Sequence, residues 1–184
     1  IQAGQFVNVK VEDSPSTFLR RPISIHDVDK ANGLLYLLVK IAGSGTAKLS
    51  TLTPGNKLNI VLPLGNSFTQ PVQGRCLLVG GGVGIAPLLH LSKELKKKKI
   101  EAVVLIGTRS KKDIVLEEEY QKYAPTYYTT EDGTYGEQGY PTQHSILKEH
   151  FDHIFCCGPL PMMKAIAQHA YTHHIDCEVS LENM

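Results

Sequence analysis

Val79-Gly80-Gly81-Gly82-Val83-Gly84-Ile85-Ala86-Pro87 is the stretch on which the fold turns. Ahead of it, Cys76-Leu77-Leu78-Val79 is an apolar run of strand length. Behind it, Leu88, Leu91 and Leu95 recur at helical spacing. Four glycines within five positions therefore join a buried strand to a helix. Without side chains, a backbone can approach a ligand closely, and the helix start offers unpaired N–H groups and the positive end of its dipole to an anion. Pro87 suits the first turn of that helix, where its missing N–H is not needed. The anion this implies is a pyrophosphate, most often that of a dinucleotide. A tight turn that serves packing alone is the other reading. The spacing Gly82-x-Gly84-x-x-Pro87 also places proline where the dinucleotide fingerprint has its third glycine.

Working outward from this turn, strands are expected near 76–80, 102–107, 126–130, 153–157 and 177–181. Helices are expected near 86–99, 113–123, 142–150 and 161–174, with Asp113 as an N-cap and Leu116, Tyr120 and Tyr123 on one face. Strand–helix alternation implies a parallel sheet covered on both faces. Residues 1–70 have another rhythm. Strands are expected over 6–11, 22–28, 34–41 and 58–64, with Asn32-Gly33 and Pro54-Gly55-Asn56 as turns. Gly43-Ser44-Gly45-Thr46 leads into a short helix from Ala47 to Leu52. This half reads as a small antiparallel barrel with one helix, and Pro71 to Gly74 as a boundary. The fold class is thus two-domain: an antiparallel β-barrel over 1–72, then an α/β parallel-sheet nucleotide-binding domain over 73–184.

Composition narrows the function. The 184 residues include 19 basic and 18 acidic side chains, a net charge of +1, which gives no electrostatic footprint for nucleic acid or an anionic membrane. No apolar run is long enough to span a bilayer and no signal peptide is visible, so a cytoplasmic location is expected. Cys76, Cys156, Cys157 and Cys177 lack the spacing of a zinc or cluster site, so no metal ligands are expected and reduced thiols are the simplest reading. The eight histidines are scattered, and no nucleophile–base pair stands out. Lys96 to Lys99 reads as a solvated helix end. The chain enters a strand almost at once after Ile1 and stops at Met184 without a cap, so residues are expected to be missing at both ends.

In an open parallel sheet, ligands lie at the carboxyl ends of the strands. The loops there are Gly80–Gly84, Gly107-Thr108-Arg109-Ser110, Glu131-Asp132-Gly133 and Cys157-Gly158-Pro159. Arg109 suits a phosphate or a surface ion pair. Asp132 suits a ribose hydroxyl or the turn before Gly133. In the first half, Arg20-Arg21-Pro22-Ile23-Ser24 enters a strand and Gly43-Ser44-Gly45-Thr46 opens a helix. An arginine and a helix start can hold a second pyrophosphate, with Ser24 donating to a flat ring. Alternatively, Pro22 begins an edge strand and Gly45 makes a turn.

Together these motifs resemble a known family. Arg21-Pro22-Ile23-Ser24, Gly43-x-Gly45-Thr46, Pro63-Leu64-Gly65-Asn66, Gly80–Pro87 and Cys157-Gly158-Pro159 stand in the order seen in ferredoxin reductase-like flavoproteins. Leu38-Val39-Lys40, Glu131-Asp132-Gly133 and Val179-Ser180-Leu181-Glu182 resemble the electron-transfer subunits of B-type dihydroorotate dehydrogenase within that group. The resemblance implies an FAD-binding barrel followed by an NAD(H)-binding domain. By position it implies that Arg21 contacts the FAD pyrophosphate, with Pro22 and Ile23 beside it, and that Ser24 sits near the reactive edge of the flavin. Leu38, Val39 and Lys40 line the flavin and ribityl site, and Gly45 and Thr46 bind phosphate. Gly82 and Gly84 admit the NADH pyrophosphate. Cys157 lies near the nicotinamide, where Gly158 and Pro159 shape the turn. Ser24 and Cys157 are then the pair expected to face the reacting rings, across a flavin-sized cleft between the halves.

The resemblance also implies a cysteine-rich 2Fe–2S segment beyond Val-Ser-Leu-Glu, so the cluster is expected only in the full-length protein. Val61-Leu62-Pro63 lacks the glycine expected before its proline, which implies a local backbone change. The function so implied passes electrons between NAD(H) and an FMN-containing dihydroorotate dehydrogenase catalytic subunit, through FAD and 2Fe–2S. Rival readings are a reductase subunit of an NADPH:ferredoxin oxidoreductase or sulfide dehydrogenase complex, and a non-catalytic interaction module.

Overall fold

The computed structural model describes residues 1–12, 14 and 17–181. Its strands form two sheets. The first is antiparallel, in the order β3-β2-β1-β4, from β1 (Phe6–Val9), β2 (Arg21–Asp29), β3 (Leu34–Leu37) and β4 (Ile60–Leu64). Phe6 pairs with Ser24 and Val9 with Arg21, while Phe6 pairs with Leu64 on the other side. Val7 and Val9 point inward and build a core with Ile23 and Ile25, against which Leu35, Leu37, Leu49 and Ile60 pack. Among the described residues no β3–β4 ladder closes this sheet into a ring. Leu62–Pro63 is a cis peptide.

Helix α1 spans Ser44–Leu49, three residues earlier than expected. The Thr46 hydroxyl accepts from the Ala42 and Gly43 N–H groups at 2.8 and 3.1 Å, which fixes the helix start at Gly43. The expected third strand is shorter, so Leu38, Val39 and Lys40 follow β3 as loop.

The second sheet is parallel, in the order β10-β9-β5-β6-β7-β8. Its strands are β5 (Arg75–Gly81), β6 (Glu101–Thr108), β7 (Thr126–Thr130), β8 (Glu137–Gln138), β9 (His153–Cys157) and β10 (Asp176–Ser180). Helices α2 (Ala86–Lys97), α3 (Glu117–Gln121) and α4 (Leu160–Thr172) accompany them. Alternate residues of β5 and β6 face opposite cores. Leu78, Val104 and Ile106 join Leu88, Leu91 and Leu95 of α2, whereas Leu77, Val79, Val103 and Leu105 join Met163 and Ile166 of α4. The near-continuous apolar runs of these strands follow from burial on both faces.

Three expectations are corrected. The helix expected over 113–123 begins at Glu117, because Leu116 adopts φ 59° and Asp113 closes a short 3-10 turn, accepting from the Ser110 hydroxyl at 3.1 Å. The helix expected over 142–150 is two 3-10 turns, Pro141–Gln143 and Ser145–Lys148; the His144 ring accepts from the Ile146 N–H at 2.9 Å and starts the second. β8 was not foreseen; two residues are too few to show a period of two.

The two sheets share buried material. Ala3 and Phe68, although outside the parallel sheet, belong to its core; Phe68 meets Phe155 edge-on at 5.5 Å between ring centres. Among the described residues no helix is long and apolar enough to cross a membrane.

Candidate cofactor site

The parallel sheet reverses direction of winding between β5 and β9. From β5 the chain steps outward through β6, β7 and β8, then returns to lay β9 on the other side of β5. At such a switch point the loops leave their strands in opposite directions and open a crevice. The two loops here are Gly80–Gly84 and Cys157-Gly158-Pro159, side by side because Gly80 pairs with Cys157. After β5 the chain makes a 3-10 turn over Gly82–Ile85 and enters α2 with Pro87 in its first turn.

Two glycines of this turn are required by geometry. Gly82 has φ +56°, a left-handed conformation, and no atom lies within 4 Å of where its Cβ would be, so the turn opens outward there. A Cβ on Gly84 would stand 2.4 Å from the Cys157 carbonyl oxygen and 2.6 Å from Gly158 Cα. Both loops are therefore pressed backbone to backbone, and the turn is open at Gly82, beside the exposed Val83, at the start of α2. Cys157 itself is 2 % exposed. Gly158 is half-buried and Pro159 exposed beside it.

A second concavity lies between the two sheets. It has a volume of about 520 Å³, within the range of small-molecule and cofactor pockets. Pro22, Ile23 and Ser24 of β2 form one wall, Asn66 to Phe68 another, and Glu178 to Leu181 at the end of β10 the third. Ser24 is 9 % exposed, so its hydroxyl is held at the cleft rather than in open water. Glu178 fixes two of these walls together by accepting from the Thr69 N–H at 3.0 Å. Glu182 lies outside the described residues.

The sequence-expected residues thus fall into groups. Pro22, Ile23 and Ser24 line the cleft. Arg21 and Gly45 are brought together, since a Cβ on Gly45 would meet Arg21 Cδ at 3.3 Å; the Arg21 guanidinium donates to the Leu19 carbonyl at 3.0 and 3.1 Å. Arg20 is structural, bridging to Asn59. The Thr46 hydroxyl is occupied with capping α1. Gly82, Gly84, Cys157, Gly158 and Pro159 form the crevice at the switch point, and Cys157 is not on the wall of the cleft that Ser24 lines. Leu38 is half-buried against the parallel-sheet core, whereas Val39 and Lys40 are exposed away from that cleft wall. Arg109 is exposed after β6. Asp132 caps its own turn, accepting from the Thr134 N–H and hydroxyl at 3.0 and 2.7 Å, which holds its carboxyl below the usual range.

Sequence reading missed the polar seam that joins β2 to α2. Asp27 receives Lys93 Nζ and stands 3.3 Å from His90 Nδ1. Burial alone would raise the Asp27 carboxyl, but the bonds from Lys93, the Val28 backbone and His90 outweigh it and hold it low. His90 Nε2 lies 3.5 Å from Glu94, whose other oxygen accepts from Gln70 Nε2 at 3.0 Å. One step away, His26 Nδ1 bonds the Ala86 carbonyl at 2.8 Å. Nothing in the spacing of Asp27 and Lys93 signals such a pairing, because it links positions 66 residues apart.

Comparisons with known proteins agree with this geometry. The family model described as the oxidoreductase NAD-binding domain matches residues 78–168. The chain is 35% identical to the dihydroorotate dehydrogenase B (NAD(+)) electron transfer subunit of Fusobacterium nucleatum, over 98% of the chain and 71% of that protein. It is 39% identical to the subunit so named from Streptococcus pneumoniae, over 100% of the chain and 72% of that protein. It is 41% identical to that of Bacillus velezensis, over 91% and 67%. A solved NADH-dependent reduced ferredoxin-NADP oxidoreductase superposes with a TM-score of 0.90 at 30% identity, covering 100% of this chain and 67% of that one. The Amycolatopsis cytochrome P450 reductase GcoB, 22% identical with a TM-score of 0.80, shares the fold, covering 98% and 61%. The chain belongs to the family of dihydroorotate dehydrogenase B (NAD(+)) electron transfer subunits.

Proposed function

We propose that the chain binds FAD in the cleft between its sheets and NAD(H) at the switch-point crevice. In this role it serves as the electron-transfer subunit beside the catalytic subunit of dihydroorotate dehydrogenase B. The observation that carries the reading is the pairing of two features: β2 brings Ser24 to the cleft wall, and the Gly82–Ile85 turn leaves open space at Gly82 at the start of α2. When bound, FAD supplies the conversion between two-electron exchange with NAD(H) and one-electron release. The chain's own residues bind, orient and exclude water. We assign residues 1–72 to the flavin side and 73–184 to the dinucleotide side, with Phe68 and Ala3 packing across that division. Arg21 beside Gly45 suits the flavin pyrophosphate, because a guanidinium forks onto phosphate oxygens.

Among the described residues no three Cys, His, Asp or Glu side chains are grouped to hold a metal, so Cys76, Cys156, Cys157 and Cys177 do not form a 2Fe–2S ligand set. We assign any 2Fe–2S cluster to the full-length protein outside these residues. A cytoplasmic location accords with the pyrimidine-synthesis role. The likeness to the NADH-dependent ferredoxin-NADP oxidoreductase, at 30% identity, supports a second reading in which the electron partner is a ferredoxin-type protein. Co-purification of the full-length protein decides between them. A flavoprotein that emerges with an FMN-containing dihydroorotate dehydrogenase supports the first reading, and one that emerges alone and reduces ferredoxin supports the second.

A further inference from the structure

Two buried side chains converge on the first turn of α2 without belonging to the loop that precedes it. Tyr120 of α3 is 0 % exposed and donates its hydroxyl to the Ile85 carbonyl at 2.6 Å. His26 of β2 is 7 % exposed and bonds the next carbonyl, Ala86, at 2.8 Å. Their rings are neighbours, 6.4 Å between centres. A carbonyl can only accept, so Nδ1 carries the proton and donates. Burial favours the neutral imidazole and lowers the His26 pKa, against the raising effects of the Ala86 carbonyl, Asp27 and Glu119 and with that of Lys93. Burial likewise keeps the Tyr120 phenol protonated and able to donate.

The two pinned carbonyls are those of Ile85, the last residue of the Gly82–Ile85 turn, and of Ala86, the first residue of α2. That turn has no side-chain cap of its own. We propose that His26 and Tyr120 are positioning residues of the dinucleotide site, holding the start of α2 so that the N–H groups of Gly82–Ile85 are preset for the pyrophosphate. This rests on the reading of that turn as the NAD(H) site. His26 stands two residues from Ser24 on the same strand. The bond to Ala86 therefore also sets the distance between the cleft wall and the dinucleotide turn.

The test uses the full-length holoprotein. Dissociation constants for NAD+ are read by calorimetry, and kcat and KM for NADH with a dye acceptor. Flavin content and thermal unfolding show that each variant is folded. Losing one buried hydrogen bond corresponds to roughly a tenfold weakening. His26→Leu is expected to raise the NAD+ Kd and the KM about tenfold, with kcat and flavin content unchanged. His26→Asn, whose amide nitrogen replaces Nδ1, is expected to restore binding to within about twofold. Tyr120→Phe removes a hydroxyl only and is expected to weaken binding about fivefold, less than additively with His26→Leu because both act on one turn. Should His26→Leu fail to fold, Tyr120→Phe decides. Unchanged NAD+ affinity in the folded variants, with Gly84→Val still abolishing binding, would overturn the positioning role and leave the dinucleotide reading standing. Unchanged affinity in Gly84→Val as well would overturn both.

Discussion

Gly84 and Cys157 meet backbone to backbone: a Cβ on Gly84 would stand 2.4 Å from the Cys157 carbonyl oxygen. No rotamer relieves such a contact, because the obstacle is main chain of the neighbouring strand end. Gly84→Ala is therefore expected to force β5 and β9 apart at their carboxyl ends and to cost about 1–3 kcal/mol of stability. Denaturant unfolding measures the loss, and NAD+ calorimetry is expected to show affinity falling by more than about tenfold, since the crevice itself is displaced.

Arg21 lies against the start of α1 at Gly45, and its guanidinium donates to the Leu19 carbonyl. An FAD phosphate there would gain charge-assisted bonds of about 1.5–3 kcal/mol. Arg21→Ala is expected to purify with FAD substoichiometric and to rebind it roughly 10- to 100-fold more weakly, with NAD+ affinity retained. Flavin-to-protein absorbance ratios after dialysis check this. Full flavin occupancy in Arg21→Ala would remove Arg21 from the site.

Asp27 joins β2 to α2 through Lys93 and His90. Substituting Asp27→Ala leaves a partly buried ammonium without its partner and is expected to lower stability by about 1–3 kcal/mol. Replacing both ends, Asp27→Leu with Lys93→Met, is expected to recover most of that loss, because the penalty lies in the orphaned charge. Thermal unfolding of the two variants distinguishes this from simple loss of packing.

The pH dependence of stability follows from the buried histidines. Burial lowers the pKa of His26 and His144 below the ordinary value of about 6.5. Below that value the unfolded chain binds more protons than the folded one, so stability falls as pH falls. Tm is expected to be flat near neutrality and to drop from about pH 6.5 downward through the lowered folded values. His26→Asn, which keeps the donor and cannot titrate, is expected to reduce the drop. An unchanged slope in that variant would show that His26 is not charged on unfolding.

Much of this organisation was legible in the residues. The glycine turn, the change from period-two to helical spacing after Pro71, and the strand positions of the parallel sheet follow from local chemistry. Legibility fell where local signals competed. Asp113 looks like an N-cap, yet the left-handed Leu116 delays the helix to Glu117. Pro141 and His144 break a periodic stretch into 3-10 turns. Among the proposed site residues, Arg21–Ser24 and Gly82–Gly84 carry local signals, because arginine, proline and glycine have few interchangeable uses. His26, Tyr120, Asp27 and Lys93 did not. Their partners are supplied by tertiary packing across the two sheets, and one histidine among eight carries no signal of its own. The same limit explains Cys157, whose place at the end of β9 was foreseen but whose distance from the Ser24 cleft wall depends on how the two sheets meet.

The central claim is that one chain seats a flavin between its sheets and reduces it from a dinucleotide bound at the Gly82–Ile85 turn. Anaerobic titration of the purified full-length protein with NADH, followed in the visible spectrum, tests it most directly. The account predicts an oxidised flavin band in the isolated protein that bleaches on NADH addition and fails to bleach in Gly84→Val at the same NADH concentration. A protein without a flavin band, or a band that NADH leaves unchanged, would contradict it.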